Sequence, residues 1–127
     1  MKQNSRPLSP HLDIYKFQIT MAMSIFHRIT GVGLYMGMAL IAWWLVAAAT
    51  SNKALNLVYW VLGNWFGQLI LIGFTWALFH HLLGGLRHFV WDTGKGFDEK
   101  SRFGFAWFTL IGGLVLTALV WVLFVWL

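Results

Sequence analysis

Charged and uncharged positions alternate along this chain in blocks far longer than the period of a helix face or a strand. Ile29–Ala49, Ala54–Leu86 and Phe103–Leu127 are free of Lys, Arg, Asp and Glu and run for 21, 33 and 25 residues. A transmembrane helix needs about 20 consecutive apolar residues, so the pattern predicts three spans. The second run is too long for one upright helix, which places its start, Ala54–Trp60, at the membrane surface. The expected layout is a single membrane-anchor domain, residues 1–127. It comprises an N-terminal segment over residues 1–17 and three helices at about 20–49, 62–90 and 103–127. The fold class is therefore all-α, integral to a membrane.

The N-terminal segment is polar. Pro7 and Pro10 within Arg6–Tyr15 exclude one continuous helix, because each removes a backbone donor and restrains the residue before it. No apolar signal-peptide core precedes the first span and no Arg- and Ser-rich presequence is found. A bacterial inner membrane fits this start better than an imported mitochondrial protein. Turn residues Asp92-Thr93-Gly94-Lys95-Gly96 end the second span, and Lys95–Arg102 reads as a short solvated loop.

Composition sharpens the class. The chain is 59% hydrophobic and 10% charged, which excludes an ordinary soluble fold. Its formal charge of +5 raises nucleic-acid binding, but the cations lie beside the spans. Lys2, Arg6, Lys16 and Arg28 precede the first, Arg87, Lys95, Lys100 and Arg102 separate the second from the third, and Lys53 stands alone in the first connection. The positive-inside rule then puts the N-terminus and the second loop in the cytoplasm and the C-terminus on the outer, periplasmic side. No nucleic-acid partner is expected; membrane lipid is. The absence of cysteine excludes thiolate metal sites, iron–sulfur ligation and covalent haem attachment on this chain.

Candidate chemistry gathers at the cytoplasmic ends. His80-His81-Leu82-Leu83-Gly84-Gly85-Leu86-Arg87-His88 closes the second span, and histidines inside lipid need compensation. His81 and His88 are two turns apart, with Gly84 and Gly85 forming a shallow trough between them. A large flat ligand could lie there with one imidazole coordinating and the other hydrogen-bonding. Equally, the glycines could pack a neighbouring helix to which the histidines hydrogen-bond. His80 points about 100° away from His81 and reads as a packing or interhelical hydrogen-bonding residue.

On the first span, Ser24, His27, Arg28 and Gly31 share one face at i, i+3, i+4 and i+7. A hydroxyl, an imidazole and a guanidinium thus converge near the cytoplasmic interface. Taken singly, Arg28 could snorkel to lipid phosphate and Ser24 could pack a helix; their alignment suits a polar group entering from the membrane. Counting from the ends of the uncharged runs puts His27 and Arg28 level with Arg87 and His88, and His81 about 10 Å deeper. That offset suits a b-type haem with iron at His81 and propionates towards His27, Arg28 and His88. It argues against His27 and His81 gripping one iron, so the second ligand is expected from another chain or, by an unfavourable turn of its ring, from His80. The outer halves of the spans lack ionisable groups, which weighs against the alternative of a proton-conducting subunit. A purely structural anchor leaves the Ser–His–Arg face unexplained.

Three stretches carry a resemblance: Arg6-Pro7-Leu8-Ser9-Pro10-His11-Leu12-Asp13-Ile14-Tyr15, Ser24-Ile25-Phe26-His27-Arg28-Ile29-Thr30-Gly31, and His81-Leu82-Leu83-Gly84-Gly85-Leu86-Arg87-His88-Phe89-Val90-Trp91-Asp92. With the three-span layout, they resemble the cytochrome b subunits of succinate dehydrogenase, the family of membrane anchors that includes the mitochondrial form in respiratory complex II. The resemblance implies His81 as axial ligand of haem b, the haem being shared with a second small anchor subunit that supplies the other histidine. It implies Ser24 and Arg28 at the ubiquinone site, and His27, Arg28 and His88 near the haem propionates. It further implies an iron–sulfur subunit and a flavoprotein subunit on the cytoplasmic face, with FAD and iron–sulfur clusters on those partners only. Succinate oxidation would take place on the flavoprotein, with no catalytic residue on this chain.

Overall fold

A computed structural model describes residues 7–126; Lys2 and Arg6, two of the cations counted above, and Leu127 lie outside the described residues. A single 3₁₀ turn, His11–Ile14, interrupts an otherwise extended N-terminal segment. Four helices follow: α1 (Ile19–Thr50), α2 (Asn52–Gly63), α3 (Trp65–Asp92) and α4 (Glu99–Trp126). The described residues contain no strand. Three helices, α1, α3 and α4, are long and apolar enough to cross a membrane. Helices suit that solvent because they satisfy every backbone donor and acceptor internally where no water is available.

The long second uncharged run is divided in two. Ser51 is extended (φ −170°, ψ 157°) and its Oγ accepts from the Ala54 N–H, so α2 starts with its own cap. Asn64 then ends α2 and caps α3, its Oδ1 accepting from the N–H groups of Phe66 and Gly67 at 2.9 and 3.0 Å. Asn64 is the hinge between a short helix and a span. At the other end α4 begins at Glu99, four residues before its uncharged run. Asp98 caps it through Oδ2, which accepts from Ser101 N–H at 2.9 Å.

Helix α3 lies between α1 and α4, and α1 also touches α4. In lipid the contact between helices rests on close packing rather than on exclusion of water, which favours small residues at the seam. The buried positions follow that rule: Thr30 and Gly37 on α1, Ala77 and Gly84 on α3, Ala106, Thr109, Gly113 and Thr117 on α4. Each buried threonine returns its hydroxyl to its own helix, Thr30 to Phe26, Thr109 to Phe105 and Thr117 to Gly113, at 2.7–2.8 Å. The Gly112-Gly113 pair makes a close contact with α3. A Cβ on Gly113 would stand 3.3 Å from the His80 backbone, and one on Gly112 would stand 2.8 Å from Leu83. Most large apolar side chains, by contrast, face outwards, as they do when the solvent is lipid.

Candidate functional site

Because α1 and α3 run in opposite directions, the start of α1 and the end of α3 meet at one end of the bundle. Six of the seven described Lys and Arg residues lie at that end, and Lys53 alone at the other. This is also where the imidazoles collect.

His81 is half-buried and held by α1. Its Nδ1 lies 3.1 Å from the carbonyl oxygen of His27 and 3.3 Å from Thr30 Oγ1. A carbonyl can only accept, so Nδ1 carries the proton and donates. The Thr30 hydroxyl already donates to the carbonyls of Phe26 and His27, at 2.8 and 3.0 Å, which leaves its lone pair to accept from His81 as well. In the neutral ring this leaves the lone pair on Nε2. This is the arrangement of a metal-ligating histidine, whose second nitrogen donates to a carbonyl that fixes the ring. The residues present therefore fit a haem iron ligand. No group of three or more His, Cys or carboxylate side chains among the described residues could hold a bare metal ion.

The expected depth of His27 needs correction. Its ring does not sit level with His88, a full two turns from His81. It stacks on His81 at 4.0 Å with planes 22° apart and meets His88 edge-on at 5.2 Å. The cause is Gly84, which is buried against the His27 ring and would have no room for a Cβ. Glycine there lets α1 come close, and the contact sets the register of the two helices. The trough is altered accordingly. Gly84 is filled by His27, whereas Gly85 has nothing within 4 Å of where a Cβ would stand. The open part is at Gly85.

Ser24 and Arg28 are exposed on α1, one turn apart and flanking His27. His88 is exposed at the end of α3. His80 is turned away from this group and has no exposed surface at all; it stacks on Trp76 at 5.2 Å and meets Phe26 edge-on. Neither of its ring nitrogens has a hydrogen-bond partner among the described residues. Arg87 is 6% exposed, with its guanidinium carbon 4.9 Å above the Trp91 ring. Sequence reasoning passed over Thr30 and Trp91. Both stood inside the motifs, and Thr30 lies seven residues from Met23 and from Gly37, the heptad signal of a buried seam.

The fold and this site define a multi-span helical membrane subunit with one histidine prepared to ligate at its positively charged end. The chain belongs to the family of succinate dehydrogenase/fumarate reductase transmembrane subunits, whose profile matches residues 2–120. It is 42% identical over 124 residues to the succinate dehydrogenase cytochrome b556 subunit of Paracoccus denitrificans, covering 98% of this chain and 95% of that one. The cytochrome b556 subunit of Rickettsia felis is 39% identical, covering 94% and 93%. The cytochrome b560 subunit of Reclinomonas americana is 36% identical, covering 94% and 87%.

Proposed function

We propose that this chain is the cytochrome b membrane anchor of a succinate:quinone oxidoreductase, holding haem b and helping to form the site where ubiquinone is reduced. The observation that carries the reading is the His81 ring, held through Nδ1 by the His27 carbonyl and Thr30, with Nε2 making no hydrogen bond among the described residues. Haem bound there would supply one-electron storage close to the quinone. A second small anchor subunit would supply the other histidine to the haem, since His27 is committed to stacking on His81 rather than facing it. His27, Arg28 and His88 serve the propionate region with two imidazoles and a guanidinium.

Ser24 and Arg28 are the quinone residues. A quinone is apolar apart from two carbonyl oxygens, each of which needs a donor once water is left behind. The Ser24 hydroxyl offers a neutral hydrogen bond, and the Arg28 guanidinium favours negative charge developing on an oxygen. Electrons come from an iron–sulfur subunit, fed by a flavoprotein subunit where succinate is oxidised; both dock on the cytoplasmic side. The cations at the charged end support that orientation, with the N-terminus inside, the C-terminus periplasmic, and a bacterial inner membrane as the location.

The test is a reduced-minus-oxidised spectrum of the purified complex, wild type against His81→Ala. A b-type signal that is lost or shifted in the variant is expected. Haem content and spectrum identical in the two would remove His81 as ligand. No haem in the wild type would reduce the chain to a structural anchor.

A further inference from the structure

Five rings run in unbroken series from the α3–α4 turn to His81. Phe97 lies 6.0 Å from Trp91 with planes 20° apart, and Trp91 meets His88 edge-on at 5.1 Å. His88 meets His27 edge-on at 5.2 Å, and His27 stacks on His81 at 4.0 Å. Centroid separations of about 4.5–7 Å are those at which aromatic pairs attract, and every pair but the closer His27–His81 stack falls in that range.

Trp91 is the ring that joins the turn to the helix. Its Nε1 donates to the carbonyl oxygen of Gly96 at 3.2 Å. Gly96 has φ +78°, a left-handed conformation that residues with a Cβ rarely adopt, and Phe105 of α4 packs where that Cβ would stand. The acceptor is thus aimed by a backbone shape particular to glycine and braced by the next helix. The same indole lies under the Arg87 guanidinium at 4.9 Å. A cation that is 94% buried needs such compensation, so the ring is held from several directions at once. Close-packed groups of this kind transmit displacement rather than absorb it.

We propose that Trp91 is a positioning residue that couples the shape of the exposed α3–α4 turn to the imidazoles of His88, His27 and His81. Anything that presses on the turn is then felt at the ligand histidine through side-chain rings. The spectroscopic arm of this inference rests on the haem reading above; the coupling itself does not.

The test is a double-mutant cycle in the assembled complex, using Trp91→Phe and Gly96→Ala. Trp91→Phe keeps a ring and loses the donor; Gly96→Ala displaces the acceptor. Two quantities are read: hydrogen–deuterium exchange across residues 93–98 and 24–31, and the haem midpoint potential with its electron paramagnetic resonance signal. Each single variant is expected to speed exchange at the turn about fivefold, as for one lost hydrogen bond. Each also raises exchange across 24–31 and shifts the haem signal in the same direction, and the double variant goes no further than the larger single. Additive shifts, or a loosened turn with 24–31 and the haem signal unchanged, would overturn the coupling. If Gly96→Ala fails to assemble, Phe97→Leu takes its place, removing the outermost ring, and the same outcomes decide. A wild type without haem would sink the functional reading, while exchange across 24–31 still decides whether turn and α1 are coupled.

Discussion

The carbonyl oxygen of His27 and Nδ1 of His81 stand 3.1 Å apart, so the backbone of one helix sets the tautomer of a histidine on another. The His27 side chain takes no part in that bond. His27→Ala therefore removes the stacked ring yet leaves the acceptor in place. Bis-histidine axial ligation should persist by electron paramagnetic resonance, with weaker haem retention or a shifted potential. Loss of the bis-histidine signal would show that the ring, not the carbonyl, holds His81.

Thr30 supplies the second acceptor for His81. Thr30→Val keeps the shape and deletes the hydroxyl, and groups that orient a metal ligand are worth about 10–100-fold in affinity. Haem occupancy at limiting haem should fall by a factor in that range, with Thr30→Ser close to wild type. Equal occupancy in Thr30→Val would reduce Thr30 to packing.

Gly84 and Gly85 are neighbours with opposite surroundings. Gly84→Ala drives a methyl into the His27 ring, and overpacking of this kind costs about 1–3 kcal/mol. A lower yield of assembled complex and a lower melting temperature should follow. Gly85→Ala meets nothing within 4 Å among the described residues, so any loss of haem with assembly intact reports on what approaches from outside. If both variants behaved alike, the register set by His27 on Gly84 would be wrong.

Ser24→Ala and Arg28→Ala should each slow succinate-driven quinone reduction about a hundredfold, as when one donor is removed from a dry site. Transfer from succinate to an artificial acceptor at the flavoprotein should survive. Arg28→Lys should rescue only in part, because an ammonium lacks the planar fork of donors. Parallel loss in both assays would assign these residues to assembly.

Asp98 makes the start of α4 sensitive to acid. Hydrogen bonds from the Ser101 backbone N–H and hydroxyl hold its carboxyl below the ordinary aspartate range. A group whose folded value is depressed stabilises above its unfolded value, and that contribution fades as pH falls through the folded one. Protection from exchange in the first turn of α4 should therefore drop on acidification. Asp98→Asn should flatten that dependence; an unchanged profile would show that the cap does not titrate.

Much of this architecture is legible in the sequence. Blocks of uncharged residues mark the three spans because a bilayer admits almost nothing else over that length. The positions of the cations single out one end of the bundle, and the motifs around His27 and His81 show the family resemblance. Period also places Ser24, His27 and Arg28 on one face, since angular position within a helix is a property of local geometry. What period cannot supply is the axial register between helices. That was decided where Gly84 admits the His27 ring, a contact between residues 57 positions apart, and it moved His27 from beside His88 to between His88 and His81. The same meeting of α1 with α3 gave His81 its acceptors and left Gly85 open. In the same way, Asn64 and Trp91 acquired their roles only when the chain turned back on itself. A helix displays its residues by local rules, but which of them touch depends on side-chain volumes at the crossing, and those belong to two segments at once.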